Sequence, residues 1–507
     1  MARKWWTLLA VCVATFMLLL DITVVNVALP DIQSSLGASL SSLQWVVDAY
    51  SLTLAAFLLT AGSLADRIGR RRVFTFGFVI FTIASFLCGI SPNATLLNLA
   101  RGLQGIGGAA MFATSLALIA QEFQGRERGT AIGAWGATIG GAVAVGPLIG
   151  GALTDGLGWE WIFFVNIPIG AAAIALTLSK LENLTAQDPS PIDWAGLITF
   201  SLGLFALIYG LIRGNPDGWT SPQILAALIG AGVLLVAFLV VEMRTRHAML
   251  DLSLFRKPAF AGVSIVAFAL SAGMFSMFLY ITLYVQDVLG HSPLEAGLIF
   301  LPLTVLSFFV APVAGKVSSF VPIRFLVGVG LTFVGISLLL MHGVALGDSW
   351  TTLLAGFLVA GAGIGMTNPG IAQTAIGVVP PQKAGMASGI NNTFRQVGIA
   401  TGVAALGAIF QSQVSSKLAE LAPTAPSSFA DAVSSGGIHA AVQQAPAGTQ
   451  EQLTTAANQA FISGFNEILL VGGIVALVGA ICGFVLVRSQ DFVVHPSGET
   501  ATEPAAA

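Results

Sequence analysis

LDITVVNVALP, at residues 20–30, closes the first long apolar segment of the chain and places the carboxylate of Asp21 among hydrocarbon side chains. Asp21 follows fifteen mostly apolar residues that begin at Trp6. At about 1.5 Å per helical residue, it would lie roughly 22 Å along a membrane span of about 30 Å. Because a charge at that depth is costly, Asp21 is the first candidate functional residue of the chain.

The composition places the chain among membrane proteins. Of its 507 residues, 55% are hydrophobic and only 9% are charged, too few to cover the surface of a water-soluble protein. The first apolar run is longer than the core of a signal peptide and carries Asp21, so we interpret it as an uncleaved helix. The three cysteines all fall inside apolar runs and do not suggest a disulfide framework.

Fourteen apolar stretches are long enough to cross a membrane as helices. In lipid only helices and closed barrels satisfy every backbone hydrogen bond, and these stretches are about twice the length of barrel strands. The sequence therefore predicts an all-α polytopic membrane protein with fourteen transmembrane helices. The predicted helices are 6–29, 43–63, 73–91, 95–120, 129–152, 162–180, 193–213, 223–242, 259–285, 294–315, 324–345, 351–372, 387–410 and 462–487.

The basic residues predict the orientation of these helices. With the N-terminus placed inside, seventeen of the 21 Lys and Arg residues lie in inside segments, and only Arg213 and Lys417 lie outside. The other two, Arg101 and Arg395, fall within helices. Because cytoplasmic loops are enriched in basic residues, both termini are expected in the cytoplasm.

A faint internal repeat indicates two related halves. The segment 62–71 precedes a similar segment, 315–324, by 253 residues, and three glycines of the fifth helix precede three of the thirteenth by 256. We therefore predict two six-helix bundles with two inserted helices between them. The parts are an N-terminal bundle at 1–180, inserted helices seven and eight at 181–257, a C-terminal bundle at 258–488 that includes an external loop at 411–461, and a disordered cytoplasmic tail at 489–507.

Two more charged residues are predicted at the depth of Asp21. Counted along their helices, Asp21, Asp48 and Arg101 each lie about 8 to 9 Å below the outer boundary of the membrane. If they converge, two carboxylates and one guanidinium leave one negative charge that a single proton would cancel, so we interpret the trio as a proton-coupling site. The alternative is structural: Arg101 neutralises one carboxylate and pins the bundle, while the other acid faces the external vestibule.

A loop rich in glycine and arginine joins helices two and three on the predicted cytoplasmic side. Gly62 and Gly69 permit close approach and a tight turn, and Asp66 can cap a helix N-terminus. Arg67 and Arg70 alone would be explained as an anchor that keeps the loop inside. The glycine spacing favours a latch for an inner gate.

The fifth helix carries a stripe of glycines that ends in a Gly-Pro pair. Gly146 permits close packing, and Pro147 is predicted to bend the helix because it removes a backbone hydrogen bond. Ordinary helix packing is the alternative explanation for most of these glycines.

Five motifs, taken in order along the chain, resemble those of the fourteen-helix drug:proton antiporter family of the major facilitator superfamily. The resemblance implies the major facilitator fold and proton-driven efflux by alternating access between two bundles. It also implies that the Gly146-Pro147 kink is associated with antiport. The motifs are LDITVVNVALP at 20–30, the loop 62–71, Arg101-x-x-Gln104-Gly105, Gly146-Pro147-x-x-Gly150-Gly151 and WIFFVNIPIG at 161–170.

The predicted substrate site draws on the second half of the chain. Methionine and aromatic side chains of the ninth helix, with polar residues of helices twelve and thirteen, could line an adaptable cavity. The alternative is that the apolar members face lipid or the core, and that Arg395 is a structural anchor instead of a substrate contact. The candidates are Met274, Phe278, Tyr284, Asn368, Asn391 and Arg395.

The sequence as a whole predicts a proton-coupled antiporter that exports hydrophobic or cationic drugs or antibiotics across the bacterial cytoplasmic membrane. The alternatives within transport are a dedicated exporter of one metabolite or self-made antibiotic, and an uptake symporter. A membrane sensor or a membrane enzyme is the alternative outside transport. The expected partners are the small substrate, protons and the lipid bilayer, with no nucleic acid, and the chain is expected to be monomeric. We expect no enzymatic activity, no metal site because the five histidines are scattered, and no cofactor beyond the proton gradient.

Overall fold

The computed structural model describes residues 3–37, 40–182, 192–245, 248–318, 320–423, 425–434, 436–443 and 448–493. Within these ranges the chain is almost entirely α-helical and contains no β-strand. Each of the fourteen predicted apolar stretches is mostly helical. The helices are α1 Arg3–Leu36, α2 Leu40–Ile68, α3 Arg70–Gly89, α4 Ala94–Glu122, α5 Gly125–Leu157, α6 Trp161–Phe164, α7 Asn166–Lys180, α8 Trp194–Asp217, α9 Pro222–Arg244, α10 Pro258–Leu270, α11 Met277–Leu283, α12 Pro293–Ile299, α13 Leu301–Val317, α14 Ile323–Met341, α15 Leu354–Gly377, α16 Ala384–Leu421, α17 Ser427–Ser434, α18 Ile438–Gln443 and α19 Gln450–Leu486.

The fold class predicted from the sequence is confirmed, but the number of spans is not. Within the described ranges, twelve helical segments are long and apolar enough to cross a membrane. The helix α5 is not among them, and α13 is a shorter apolar helix of 17 residues. The count of fourteen transmembrane helices therefore stays a prediction.

Two predicted helices are interrupted where a proline lacks the N–H group of a helical hydrogen bond. Pro168 cannot donate to the carbonyl of Phe164, and α6 ends at Phe164. In the same way Pro302 cannot donate to Leu298, and α12 ends one residue later. The predicted helix 259–285 also contains two π-helical turns, at Ser271–Phe275 and Tyr284–Val288.

The helices pack into a first group, α1–α7, and a second group, α10–α19. In the first group, α4 packs against α1, α2 and α3, while α5 lies along α1. In the second group, α15 packs against α13 and α14, and α19 packs against α10, α14 and α16. Each group has its own main hydrophobic cluster. The residue boundaries proposed for the two bundles stay predictions.

The two groups meet along two helix pairs, α2 with α16 and α5 with α13. The inserted helices α8 and α9 pack on each other, and α8 also contacts both α2 and α16. On the α2 side, Trp45 stacks on Tyr209 of α8 with ring centroids 5.9 Å apart. On the α16 side, Asn215 of α8 donates a hydrogen bond to the carbonyl of Ala404 at 3.0 Å. Thus α8 lies against both groups.

The helices around the predicted external loop 411–461 extend beyond their predicted ends. The helix α16 continues to Leu421, and α19 already begins at Gln450, with α17 and α18 between them. These extensions are polar, so a search for apolar stretches finds only the part suited to the membrane core. The described part of the loop is therefore largely helical. Of the predicted disordered tail, residues 494–507 lie outside the described residues.

Candidate functional site

The buried charges of the first helix group form one hydrogen-bonded network. Asp21 of α1 accepts a hydrogen bond from Arg101 Nη1 of α4, and the two residues are 2% and 1% exposed. Arg101 Nη1 also donates to Gln104 Oε1 at 2.7 Å, and Arg101 Nε donates to the carbonyl oxygen of Val46 at 2.9 Å. The structure thus brings together two of the three charged residues that the sequence placed at one depth.

Side-chain amides of two neighbouring helices complete the partners of Asp21, and both also reach one hydroxyl group. Gln104 Nε2 donates to Asp21 Oδ1 at 2.8 Å and to Ser85 Oγ of α3 at 2.7 Å. Asn166 Nδ2 of α7 donates to the same two oxygens at 3.4 and 3.3 Å. Side chains of α1, α3, α4 and α7 therefore belong to one network around this carboxylate, and a satisfied polar network of this kind holds them in a defined arrangement.

Aromatic rings cover the guanidinium group of Arg101. Its Cζ atom lies 4.4 Å from the centroid of the Tyr50 ring and 5.8 Å from that of Phe163, both within the range of cation–π attraction. The Asp21–Arg101 pair is therefore shielded from solvent in this conformation. Neutralising Asp21 would leave Arg101 as a buried cation without a counter-charge, which is strongly unfavourable unless the helices rearrange.

Asp48 does not join this network. Val46 and Tyr50, two residues before and after it on α2, both contact Arg101. A step of two residues turns a helix by about 200°, so Asp48 lies on the other side of α2. There its carboxylate faces the charge of Arg213 in the inserted helix α8. The prediction of a trio compared depths along the helices and left out direction around them.

Asp66 connects the two helix groups at the end where α2 passes into α3, which we call the arginine-rich end after Arg67 and Arg70–Arg72. Its carboxylate accepts hydrogen bonds from the backbone N–H groups of Gly385 and Met386 at 3.1 and 2.8 Å, in the first turn of α16. Arg70 Nη2 donates to Asp66 Oδ1 at 3.0 Å. Asp66 therefore caps a helix N-terminus, as its motif suggested, and the capped helix belongs to the opposite group.

The linker after α9 adds two further contacts at this end. Arg67 Nη2 donates to the carbonyl of Ala248 at 2.9 Å, and Lys383 Nζ pairs with Asp251 at 2.6 Å. Burial raises the pKa of Asp251, but the hydrogen bonds from Lys383 and Ser253 outweigh burial and hold that pKa below its usual value. Asp251 is therefore ionised. The linker is attached through charged groups to the end of α2, by Arg67, and to the residue before α16, by Lys383.

Glycines allow the backbones of α2 and α16 to approach closely beside Asp66. A Cβ atom added at Gly62 would overlap the carbonyl oxygen of Gly385, and one added at Gly389 would lie 2.8 Å from the carbonyl oxygen of Leu58. Only glycine fits at such positions without moving a backbone. The spacing that the sequence suggested as a latch is thus used for contact between the groups.

The contact between α5 and α13 is tightest at the same end. A Cβ atom at Gly129 would overlap the carbonyl oxygen of Gly315, and one at Gly133 would lie 2.8 Å from Pro312 Cα. Farther along α5, a Cβ atom at Gly140 would meet no atom of α13 closer than 3.5 Å. The two groups are therefore pressed together at the arginine-rich end and are more loosely packed beyond it.

The remaining motif residues have local roles in the backbone. Gly69 has a φ angle of 107°, a left-handed conformation that permits the tight turn between α2 and α3. A Cβ atom at Gly146 would overlap Thr23 Oγ1 of α1, so this glycine allows α5 to lie against α1. The backbone is helical at residue 147, but the side chain of Pro147 lies outside the described residues, and the predicted bend stays a prediction.

The candidate substrate residues of the ninth predicted helix belong to a packed core in this conformation. Met274 and Tyr284 are 0% and 1% exposed and lie in the main hydrophobic cluster of the second group. The Tyr284 ring stacks on Phe465 at a centroid distance of 5.0 Å. Phe278 is only partly buried and packs edge-on against Phe300 at 5.7 Å.

The three polar candidates lie on α15 and α16. Arg395 Nη2 donates to Asn368 Oδ1, which gives the partly buried guanidinium a neutral partner. Asn368 and Asn391 are 3% and 2% exposed, and Asn391 Nδ2 has no hydrogen-bond partner among the described residues. Arg395 is thus hydrogen-bonded to α15, while the Asn391 side-chain amide nitrogen has no acceptor among the described residues.

Ser85 and Asn166 are members of the Asp21 network that the sequence reasoning did not assign. Asn166 lies within the WIFFVNIPIG motif, and an amide in so apolar a segment requires a buried partner, so it could have been found. Ser85 gave a weaker signal, because a serine hydroxyl in a membrane helix can bond to its own backbone instead.

Comparison with known proteins gives consistent matches. A family model described as Major Facilitator Superfamily matches residues 11–403. The multidrug resistance protein Stp of Mycobacterium tuberculosis is 37% identical over 417 residues, which cover 81% of this chain and 77% of Stp. The tetracenomycin C resistance and export protein of Streptomyces glaucescens is 34% identical over 498 residues, which cover 94% of this chain and 90% of that protein.

Among solved structures, the proton:xylose symporter XylE superposes with a TM-score of 0.62 over 96% of each chain. The two sequences are 14% identical, so this likeness concerns the fold. It extends the match beyond the residues covered by the family model.

Proposed function

Because the chain belongs to the major facilitator superfamily, we propose that it is a proton-coupled antiporter that exports hydrophobic or cationic drugs or antibiotics from a bacterial cell. The chain is a membrane transporter by family, and the two similar proteins named above are a multidrug resistance protein and an antibiotic export protein. Their names support efflux as the direction of transport. The composition and buried charge support small apolar or cationic substrates.

The observation that carries the proton coupling is the fully buried Asp21–Arg101 pair. When Asp21 is ionised, its charge is balanced by Arg101 and its oxygens are held by Gln104 and Asn166. When Asp21 takes up a proton, the ion pair is lost and the cation of Arg101 has to find water or another anion. Protonation of one atom therefore favours a different packing of four helices, which is the requirement for coupling a proton to a conformational change.

The close packing at the arginine-rich end supports alternating access. We assign this end to the cytoplasm because basic residues accumulate in cytoplasmic loops, and both termini then lie inside. The Asp66 cap and the glycine contacts would close the inner side in this conformation, and Asp48 lies near the other end, on the side from which protons enter. Transport requires no cofactor besides the proton gradient, and one chain contains both helix groups, so we propose a monomer.

The proposal is tested by drug transport in proteoliposomes with the wild-type chain and Asp21→Asn. A proton gradient directed toward the side of the arginine-rich loops should drive a lipophilic cation such as ethidium to the opposite side. Asp21→Asn should abolish this gradient-driven transport, because the amide cannot release a proton. Asp31→Asn, the same change at an exposed acid ten residues later on α1, is the matched control and should retain it. Undiminished proton-driven transport by Asp21→Asn would remove Asp21 as the coupling residue.

A dedicated exporter of one antibiotic is a second candidate function. It is favoured by the similarity to the tetracenomycin C export protein, which extends over 94% of this chain. Growth inhibition should be measured for a panel of lipophilic cations and polyketide antibiotics in a pump-deficient bacterium expressing the chain. Resistance to one structural class alone would favour the dedicated exporter, and resistance across classes would favour a multidrug pump.

A further inference from the structure

Two buried carboxyl groups that the proposed transport mechanism does not use face each other at the arginine-rich end of the inserted helices. Asp193 caps the first turn of α8 and is 8% exposed, and Glu242 lies near the end of α9 and is 5% exposed. Gly196 stands between them. A Cβ atom added there would lie 2.6 Å from Asp193 Oδ2 and 2.7 Å from Glu242 Oε1, so both oxygens border the same small space.

Each carboxyl group has one oxygen with a partner and one without. Asp193 Oδ1 accepts a hydrogen bond from the N–H group of Gly196 at 2.8 Å, and Glu242 Oε2 accepts one from Leu250 at 3.0 Å. Asp193 Oδ2 and Glu242 Oε1 are buried and have no hydrogen-bond donor among the described residues. Two facing carboxylates in a buried site repel each other, whereas one proton between them would give both oxygens a partner.

The net charge around the pair also corresponds to one bound proton. Among the described residues, Arg67 of α2 is the cation whose charge acts on Glu242, so these two carboxylates and this guanidinium leave one negative charge. Two other acids lie on the wall of the adjacent cavity, and both are already paired: Asp66 with the N-terminus of α16, and Asp251 with Lys383. A single shared proton makes the group of Arg67, Asp193 and Glu242 neutral.

Two cavities lie beside the pair. The smaller has a volume of about 10 Å³, is lined by Thr60, Ser63 and Asp193 among others, and has room for about one water molecule. The larger has a volume of about 530 Å³, is lined by Glu242 and Arg67 among others, and is partly open to solvent. Asp193 thus borders the smaller cavity and Glu242 the larger one, while Ser63, Arg67 and Met249 line both.

We propose that Asp193 and Glu242 are a second proton-binding site, which holds one shared proton in this conformation and exchanges it with solution at the arginine-rich end through the larger cavity. One carboxyl group carries the proton and donates it to the free oxygen of the other. Release returns the proton to water and leaves two ionised carboxylates beside Arg67. That the arginine-rich end faces the cytoplasm rests on the proposed function, whereas the shared proton does not.

The test uses dicyclohexylcarbodiimide, which reacts with protonated carboxyl groups in apolar surroundings, on the full chain in lipid nanodiscs. Mass spectrometry of a proteolytic fragment that contains both residues should find a single label, on Asp193 or on Glu242, and the labelled fraction should fall as the pH rises. Asp251, which is ionised and paired with Lys383, should stay unlabelled. In Glu242→Gln the new amide can donate to Asp193 Oδ2, so Asp193 no longer needs a proton and its labelling should fall at least tenfold.

Several results would overturn the shared proton. They are an absence of label on both residues across the pH range, simultaneous label on both, or undiminished labelling of Asp193 in folded Glu242→Gln. Lower labelling when sodium replaces potassium at constant ionic strength would indicate a cation site instead. If Glu242→Gln does not fold, the wild-type pattern alone decides. Asp21→Asn should keep the labelling of Asp193 and Glu242 even where it abolishes transport. Failure of the shared-proton proposal can therefore be told apart from failure of the proposed function.

Discussion

Replacing Asp66 by asparagine should open the arginine-rich end. In the structure the carboxylate accepts hydrogen bonds from the N–H groups of Gly385 and Met386, and it stands at the positive end of the α16 dipole. Asparagine has nearly the same shape but keeps only one acceptor oxygen and no charge. The substitution therefore removes the charge-assisted part of the cap and leaves the glycine contacts between α2 and α16 in place.

The size of the effect follows from the contacts that are lost. A hydrogen bond to a charged group contributes about 1 kcal/mol more than a neutral one, and a charge at a helix terminus contributes about 1 kcal/mol through the dipole. The Asp66 side chain is 12% exposed, so solvent screens these terms only slightly. A loss of about 2 kcal/mol should raise the ratio of inner-open to inner-closed molecules roughly 30-fold, since 1.4 kcal/mol is a factor of ten.

The assay is a distance distribution by double electron–electron resonance in nanodiscs. Nitroxides are placed at positions 72 and 382, both exposed, through unnatural amino acids so that the three native cysteines stay. The inner-open population should appear as a longer distance whose share rises in Asp66→Asn. Glu182→Gln is the matched control, because Glu182 pairs with Arg3 of α1 and has no ion pair with the second helix group among the described residues.

An unchanged distance distribution in Asp66→Asn, with the wild-type sample mainly in the short-distance state, would refute the reasoning. A shift of equal size in Glu182→Gln would also refute it, because general loss of surface charge would then be sufficient. In either case the Asp66 cap on α16 would not contribute to closure of the arginine-rich end.

Three further outcomes are expected. Arg101→Lys keeps the charge but cannot donate to Asp21, Gln104 and Val46 together, so gradient-driven drug transport in proteoliposomes should fall at least tenfold at equal protein content. Gly129→Ala places a Cβ atom against the Gly315 backbone and should enlarge the inner-open share in the resonance experiment, whereas Gly151→Ala, which meets no atom within 4 Å, should not. Asn166→Ala removes a donor to Asp21 and Ser85 and should cost about 1 to 3 kcal/mol of stability, visible as a lower Tm in thermal unfolding.

The membrane class and the Asp21–Arg101 pair could be predicted because both depend on quantities that the sequence contains directly. Apolar length determines which segments suit lipid, and position along a segment gives depth. The helix ends at Leu421 and Gln450 could not be found this way, because the polar turns that extend α16 and α19 leave the membrane core and resemble a loop in composition. The helix breaks after Phe164 and Ile299 could have been predicted from the sequence, because Pro168 and Pro302 each remove one backbone hydrogen bond.

Asp48 shows what depth alone misses. Counting residues along the helices puts Asp48 at the same depth as Asp21. Whether Asp48 points toward Arg101 depends on which face of α2 packs against α4. The alternation of Val46, Asp48 and Tyr50 would have separated their faces if the contact face had been known. The shared-proton pair of Asp193 and Glu242 was out of reach for the same reason, since its two members lie at opposite ends of two helices and meet only when α8 and α9 pack.

The contacts at the arginine-rich end set the free energy that opening requires. A shift from one inner-closed molecule in a hundred to ninety-nine in a hundred requires about 5.5 kcal/mol of differential free energy, and each pH unit supplies about 1.4 kcal/mol per proton. Apolar side chains of both groups also meet at this end, among them Leu59 of α2 and Met386 and Ile390 of α16, which lie in one buried cluster. The glycine contacts bury mainly backbone, and on opening water can take over the hydrogen bonds of the α16 N-terminus and of Asp66, so only the difference between the two sets has to be provided. Exposure of the apolar side chains adds to that difference, so opening has to supply the sum of both contributions.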